Sequence, residues 1–108
     1  MFGVAVLGTG RLGGNYIDIV NRTSRADLKV VAEARDEVAA PWKIKYPDVE
    51  FVNDYRVALK RDDVHVVIGA LPHWLHYRAG LDAAEAGKHV YMEKPMALSA
   101  LEGIELLS

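Results

Sequence analysis

Residues 2–14 read FGVAVLGTGRLGG, an apolar run that passes directly into a glycine-rich segment. Phe2 to Leu7 has the unbroken apolar character of a strand buried on both faces of a parallel sheet. Gly8, Gly10 and Gly13 carry the GxGxxG spacing. From Leu12 onward Tyr16, Ile17, Ile19 and Val20 recur at the mixed spacing of a helix that ends between Asn21 and Ser24. Between a buried strand and a helix the three glycines divide the work. Gly8 makes the tight turn, Gly10 lets a pyrophosphate approach the backbone, and Gly13 packs helix against strand. Thr9, Arg11 and Leu12 complete this dinucleotide-binding loop, and the helix turns its unpaired N–H groups and positive dipole end toward the phosphates. Two readings compete: a purely structural turn, and a methyl-donor nucleotide site, since such folds also place a glycine loop after the first strand.

The rest of the chain repeats the alternation. Leu28 to Ala32 reads as a second strand. Asp36 is placed to cap a helix through Tyr46, with Pro41 a weak point inside it, because proline removes a backbone donor and crowds the preceding turn. Val49 to Val52 forms a brief third strand, Asn53 or Asp54 caps a helix carrying Val57, Ala58 and Leu59, and Val64 to Ala70 is a fourth apolar run. After Pro72, Leu75, Ala79, Leu81, Ala84 and Ala86 mark a helix closed by Gly87. His89 to Met92 is the fifth strand, and Ser99 with Glu102 makes a capping-box pattern that opens a last helix. Connections this short predict an α/β fold, an open, doubly wound parallel sheet of five strands in the order 3-2-1-4-5.

With 108 residues, 51% hydrophobic and 26% charged, the chain has the composition of one globular domain. At that size it buries roughly two-thirds of the surface its unfolded form exposes, enough for one core. It has no cysteine, which excludes disulfides, a thiolate nucleophile and cysteine-bearing zinc sites. A formal net charge of -2, with both signs interspersed, argues against nucleic acid as a partner. The apolar run Val4 to Leu7 is too short to span a membrane or to form a signal-peptide core, so a cytoplasmic protein is the default expectation.

Which dinucleotide fits depends on VVAEARD, residues 30–36. Glu33, twenty residues beyond Gly13, can accept hydrogen bonds from the adenine-ribose hydroxyls, which favours NAD. Alternatively Ala34 makes room and Arg35 pairs with the 2′-phosphate of NADP. Strand alternation sends Glu33 and Ala34 to opposite faces, and the register at a strand end is not fixed by sequence. Arg35 begins the turn where the ribose edge should lie, which tilts the reading toward NADP; Arg35 as a plain solvated charge is the competing account.

Leu71, Pro72, His73, Trp74, Leu75 and His76 follow the fourth strand, at the carboxyl end of the sheet where ligands of open α/β folds collect. Further on, HVYMEKP, residues 89–95, runs a strand into Glu93, Lys94 and Pro95. The whole stretch ALPHWLHYRAGLDAAEAGKHVYMEKP, residues 70–95, resembles the corresponding region of the glucose-fructose oxidoreductase, inositol dehydrogenase and MocA family. Together with the glycine loop, the resemblance covers essentially the whole chain. It departs from the family pattern at two positions, Leu71 for the usual threonine and His73 for the usual asparagine.

The resemblance implies an NAD(P)-dependent oxidoreductase acting on sugars, polyols or related carbonyls, with Lys94 on the reacting substrate oxygen, Glu93 and Pro95 shaping its surroundings, and His76 lining the nicotinamide pocket. Chemistry gives an independent reason for such a lysine. When hydride leaves a carbinol the hydroxyl proton must leave too, and an ammonium placed on that oxygen stabilises the developing alkoxide. Pro95 restricts Lys94 to extended backbone angles, which holds the side chain in place. A solvated strand end is the plainer account of the same three residues. His73 and His76 lack a third ligand nearby, so no metal is expected. Trp42 and Tyr46 read as helix-face packing residues.

Family members of this kind carry a second α/β domain that supplies substrate contacts, and this chain includes no such domain. It is therefore expected to be the cofactor half of a longer enzyme, or a truncated product, that binds dinucleotide without turnover alone. A stand-alone nucleotide-binding or redox-sensing module is the alternative. An open sheet edge and the apolar helix face of Leu101, Ile104, Leu106 and Leu107 are compatible with a homo-oligomer, though no pattern identifies an interface.

Overall fold

The structure is a computed structural model and describes residues 2–9, 11–71 and 73–92. The expected last helix lies outside the described residues. Strand β1 (Phe2–Leu7) leads into helix α1 (Arg11–Arg22), followed by β2 (Ala26–Ala32), α2 (Asp36–Lys45), β3 (Glu50–Val52), α3 (Tyr55–Leu59), β4 (Val66–Gly69), α4 (His73–Glu85) and β5 (His89–Met92). All strand pairs are parallel and the sheet order is β3-β2-β1-β4-β5, as the alternation predicts. The chain adds β2 and β3 on one side of β1, then crosses to add β4 and β5 on the other, which makes the β1/β4 boundary the topological switch point.

Side chains of β1 leave the sheet alternately. Ala5 and Leu7 join Val30, Ala32, Val67, Ala58, Leu59, Ala79 and Ala83 in a core beneath α3 and α4. Val4 and Val6 join Leu28, Val31, Ile17 and Val20 beneath α1, with Trp42 of α2 and Tyr46, the residue that caps its end, packed against them. Both faces of the central strand are therefore dry, the reason its sequence is continuously apolar rather than alternating. Each fully buried Val or Leu here contributes about 1.5–3 kcal/mol relative to exposure.

Strand β2 holds an irregularity that its sequence conceals. Val4 pairs with Leu28, but the next residue, Ala5, pairs with Val30, so Lys29 is an extra residue in the ladder. This bulge resets the alternation: Leu28 and Val31 face α1, whereas Val30 and Ala32 face α3 and α4. The strand also starts two residues earlier than expected, at Ala26, while β4 is shorter than its apolar run.

Helix ends follow local chemistry. Asp54, not Asn53, caps α3, accepting the N–H of Arg56 at 2.9 Å. Asp36 is the first residue of α2 rather than its cap, and the helix continues through Pro41. Helix α4 ends with Gly87 at φ 78°, the Gly87 N–H donating to Ala84 O at 3.0 Å and the Lys88 N–H to Ala83 O at 3.1 Å, a Schellman termination. Among the described residues no helix is long and apolar enough to cross a membrane.

Candidate functional site

The carboxyl ends of β1, β2 and β4 lie side by side, since Leu7 pairs with both Ala32 and Gly69. Gly8 turns the chain out of β1 there with φ 94°, and its N–H donates to Ala32 O at 2.7 Å. A Cβ on Gly8 would sit 2.6 Å from the carbonyl oxygen of Ala70 and 3.4 Å from Leu71 Cδ2. No larger residue fits this turn. Leu71, where the family pattern has threonine, is half-buried and packs into the core beneath α3 and α4.

Thr9, only 3% exposed, is held by a residue 24 positions away. Its N–H and its hydroxyl donate to Glu33 Oε1 at 2.8 and 3.0 Å. The other oxygen, Oε2, accepts the N–H of Arg35 at 3.0 Å and its Nε at 3.4 Å. Glu33 itself is 7% exposed. Burial, the largest single influence, pushes its carboxyl toward the neutral form, but the hydrogen bonds from Thr9 N–H, Arg35 N–H, the Thr9 hydroxyl and the Arg35 side chain together outweigh it and hold the group below its ordinary value.

Asn53, just past the end of β3, braces the same turn from the other side. Its amide nitrogen donates to the backbone carbonyl of Glu33 at 3.2 Å and to Asp36 Oδ1 at 2.7 Å. The turn from Glu33 to Asp36 is thus held by β1 through Thr9 and by β3 through Asn53. Ala34 and Arg35 are left exposed on it, with the Arg35 side chain 60% accessible. Among the described residues neither Nη of Arg35 makes a hydrogen bond.

The residues singled out in the sequence separate clearly. Gly8, Thr9, Glu33, Arg35 and Leu71 gather at the carboxyl edge of the sheet, with Arg11, Leu12 and Gly13 in the first turn of α1 and His73 and His76 at the start of α4. Gly10, Pro72, Glu93, Lys94 and Pro95 lie outside the described residues. Among the described residues no three histidine or acidic side chains gather as a metal site. Two participants escape a reading of the sequence. Asn53 has the chemistry of a helix cap, and standing next to Asp54 it gives no sign of which residue does what. Trp42 reads as packing, but its target, Gly14 on α1, is invisible in the sequence: a Cβ there would lie 2.2 Å from the indole Cζ2.

The geometry suits a nicotinamide dinucleotide. The first N–H groups of a helix have no intrahelical partner, and those of α1 start directly above the glycine turn at the switch point. A family model described as an oxidoreductase family with an NAD-binding Rossmann fold, that of the Gfo/Idh/MocA proteins, matches residues 2–108. Levoglucosan dehydrogenase of Pseudarthrobacter phenanthrenivorans is 40% identical over 109 residues, covering 89% of this chain and 28% of that protein. A scyllo-inositol 2-dehydrogenase (NADP(+)) of Bacillus subtilis is 33% identical over 104 residues, covering 93% of this chain and 27% of that protein. The crystal structure of GenD2 from gentamicin A biosynthesis, in complex with NAD, superposes with a TM-score of 0.81 at 27% identity, over 94% of this chain and 32% of that one. The chain thus spans less than a third of the length of these relatives. Its glycine turn, its strand order and the match over residues 2–108 place it together with them: the chain belongs to the Gfo/Idh/MocA oxidoreductase family and forms its NAD(P)-binding Rossmann fold.

Proposed function

We propose that the chain is the cofactor half of an oxidoreductase that passes hydride between a nicotinamide dinucleotide, NADP in preference to NAD, and a sugar, polyol or related carbonyl substrate. The observation that carries the cofactor choice is the exposed pair Ala34 and Arg35 at the end of β2, beside a Glu33 whose carboxylate is taken up by Thr9 and Arg35. A small side chain leaves room for a 2′-phosphate, and the exposed guanidinium suits its bidentate recognition. Relatives named for levoglucosan and for scyllo-inositol with NADP(+) support the substrate class and the cofactor.

In this reading the loop of Gly8, Thr9, Gly10, Arg11, Leu12 and Gly13 holds the pyrophosphate, Gly8 and Thr9 by fixing its entry and the residues after them by their backbone N–H groups, and Arg35 takes the ribose phosphate. Leu71, Pro72, His73 and His76 border the nicotinamide half. The bound cofactor supplies the hydride carrier. Lys94 stabilises the alkoxide that develops on the substrate oxygen, with Glu93 and Pro95 fixing its direction. A second domain outside this chain supplies the substrate contacts, so the 108-residue chain holds cofactor without turnover.

Thermal shifts with NADP, NAD and S-adenosylmethionine at equal concentration test the proposal, because a ligand bound only by the folded state stabilises it by about 2.7 kcal/mol at a hundredfold excess over Kd. The expected order is NADP first, NAD second and no effect of the methyl donor. A shift with S-adenosylmethionine alone would overturn the reading. Separately, cofactor reduction by this chain with sugars or polyols would remove the claim that it needs a partner domain.

A further inference from the structure

We propose that Glu33 is a positioning residue rather than a ligand of the adenosine ribose: it locks the glycine turn to the β2–α2 turn and so sets the preference for a 2′-phosphate through Arg35. The inference rests on the dinucleotide reading above and adds a role for a buried acid that this reading leaves without one.

An ionised carboxylate offers about four lone-pair sites. In Glu33 all are spoken for, two by the Thr9 N–H and hydroxyl on Oε1 and two by the Arg35 N–H and Nε on Oε2. Ribose hydroxyls would arrive as further donors and would have to displace one of these, leaving a buried N–H or hydroxyl unpaired. Exposure agrees with this, since Glu33 is 7% accessible while the next two residues are open to solvent. Arg35 is tied to Glu33 through both its backbone N–H and its Nε, which leaves the two Nη atoms of a 60% accessible side chain without a hydrogen bond among the described residues. Its Nε also offsets the carboxylate charge that a nearby phosphate would otherwise oppose. Asn53 completes the clamp by holding the Glu33 carbonyl and drawing Asp36 onto its amide.

Binding of 2′-phospho-ADP-ribose and ADP-ribose to the full chain, measured by calorimetry for the wild type and Glu33→Gln, tests this directly. The variant keeps the side-chain shape, but whichever way its amide turns, an NH₂ group faces the N–H of Thr9 or of Arg35. A positioning role predicts that affinity for 2′-phospho-ADP-ribose falls about tenfold while ADP-ribose loses less, so the preference shrinks. If Glu33 instead contacts the ribose, removing its charge raises the preference for the 2′-phosphate, and that outcome overturns the proposal, as does an unchanged ratio. Should circular dichroism show that Glu33→Gln does not fold, Asn53→Ala, which strips the same turn of its support from β3, must shrink the ratio in the same direction or the proposal fails. Wild type that binds neither probe would remove the dinucleotide reading itself, and is distinguishable from every outcome above.

Discussion

Trp42 closes over Gly14: a side chain at Gly14 would place its Cβ 2.2 Å from Cζ2, 2.8 Å from Cη2 and 3.1 Å from Cε2 of the indole. Helix α2 thereby sits against the first half of α1, the helix that opens from the glycine turn. On a solvent-facing helix position Gly→Ala stabilises by roughly 0.5–1 kcal/mol. Gly14→Ala is expected to do the opposite, destabilising by about 1–3 kcal/mol through overpacking. Urea denaturation gives the sign, and a second change, Trp42→Leu, should restore part of the loss by reopening the space.

Arg35→Ala separates the two cofactors. A charge-assisted hydrogen bond contributes about 1.5–3 kcal/mol, so the variant should bind NADP roughly 10- to 100-fold more weakly and NAD within about twofold of wild type. Isothermal titration with both nucleotides reads the split. Equal losses for both would mean that Arg35 acts only on the fold of its turn.

Acid unfolding reports on Glu33. Its carboxyl lies below the ordinary 4.5 in the folded chain. A depressed folded-state value means that the group's stabilisation is fully present above about 4.5 and is lost as pH falls through the folded value. Chemical denaturation across that acid range should show a steeper loss for wild type than for Glu33→Gln, which cannot titrate there. Parallel slopes would show that Glu33 titrates alike in both states.

Tyr46→Phe tests the seam between α1 and α2. The Tyr46 hydroxyl donates to Asp18 Oδ1, which Lys45 Nζ also reaches at 2.9 Å. Donation by Tyr46, then by Lys45, holds the Asp18 carboxyl below its usual value. Loss of the hydroxyl should cost about 1 kcal/mol at neutral pH. Because the Asp18 value is depressed from 3.8 in the folded state, this cost should fade as pH drops through the folded value. A pH-independent difference would assign the effect to packing.

Much of this fold is written locally. The switch from continuous apolar strands to helices of mixed three- and four-residue spacing, punctuated by Gly8 and Gly87, carries both element order and sheet topology. What stays hidden depends on contacts between distant positions. Counting alternation along β2 does not reveal where Glu33 points, because the extra residue Lys29 resets the count midway. Asn53 and Asp54 are chemically alike as caps, and only the proximity of the Glu33 carbonyl separates their roles. Pro41 reads as a weak point within the helix, yet α2 runs on to Lys45, held to its neighbours by Trp42 and Tyr46. Long-range pairing outweighs one lost backbone bond.

The first two amides after β1 already have acceptors within the protein, Gly8 on Ala32 and Thr9 on Glu33. In the proposed cofactor mode they are therefore not the groups that greet the pyrophosphate, and that role falls to the amides that open α1. The entry to the loop behaves as a fixed abutment whose ordering was settled during folding rather than on association. Affinity gains when a receptor arrives already shaped, and here the shaping comes from a neighbouring strand rather than from the ligand.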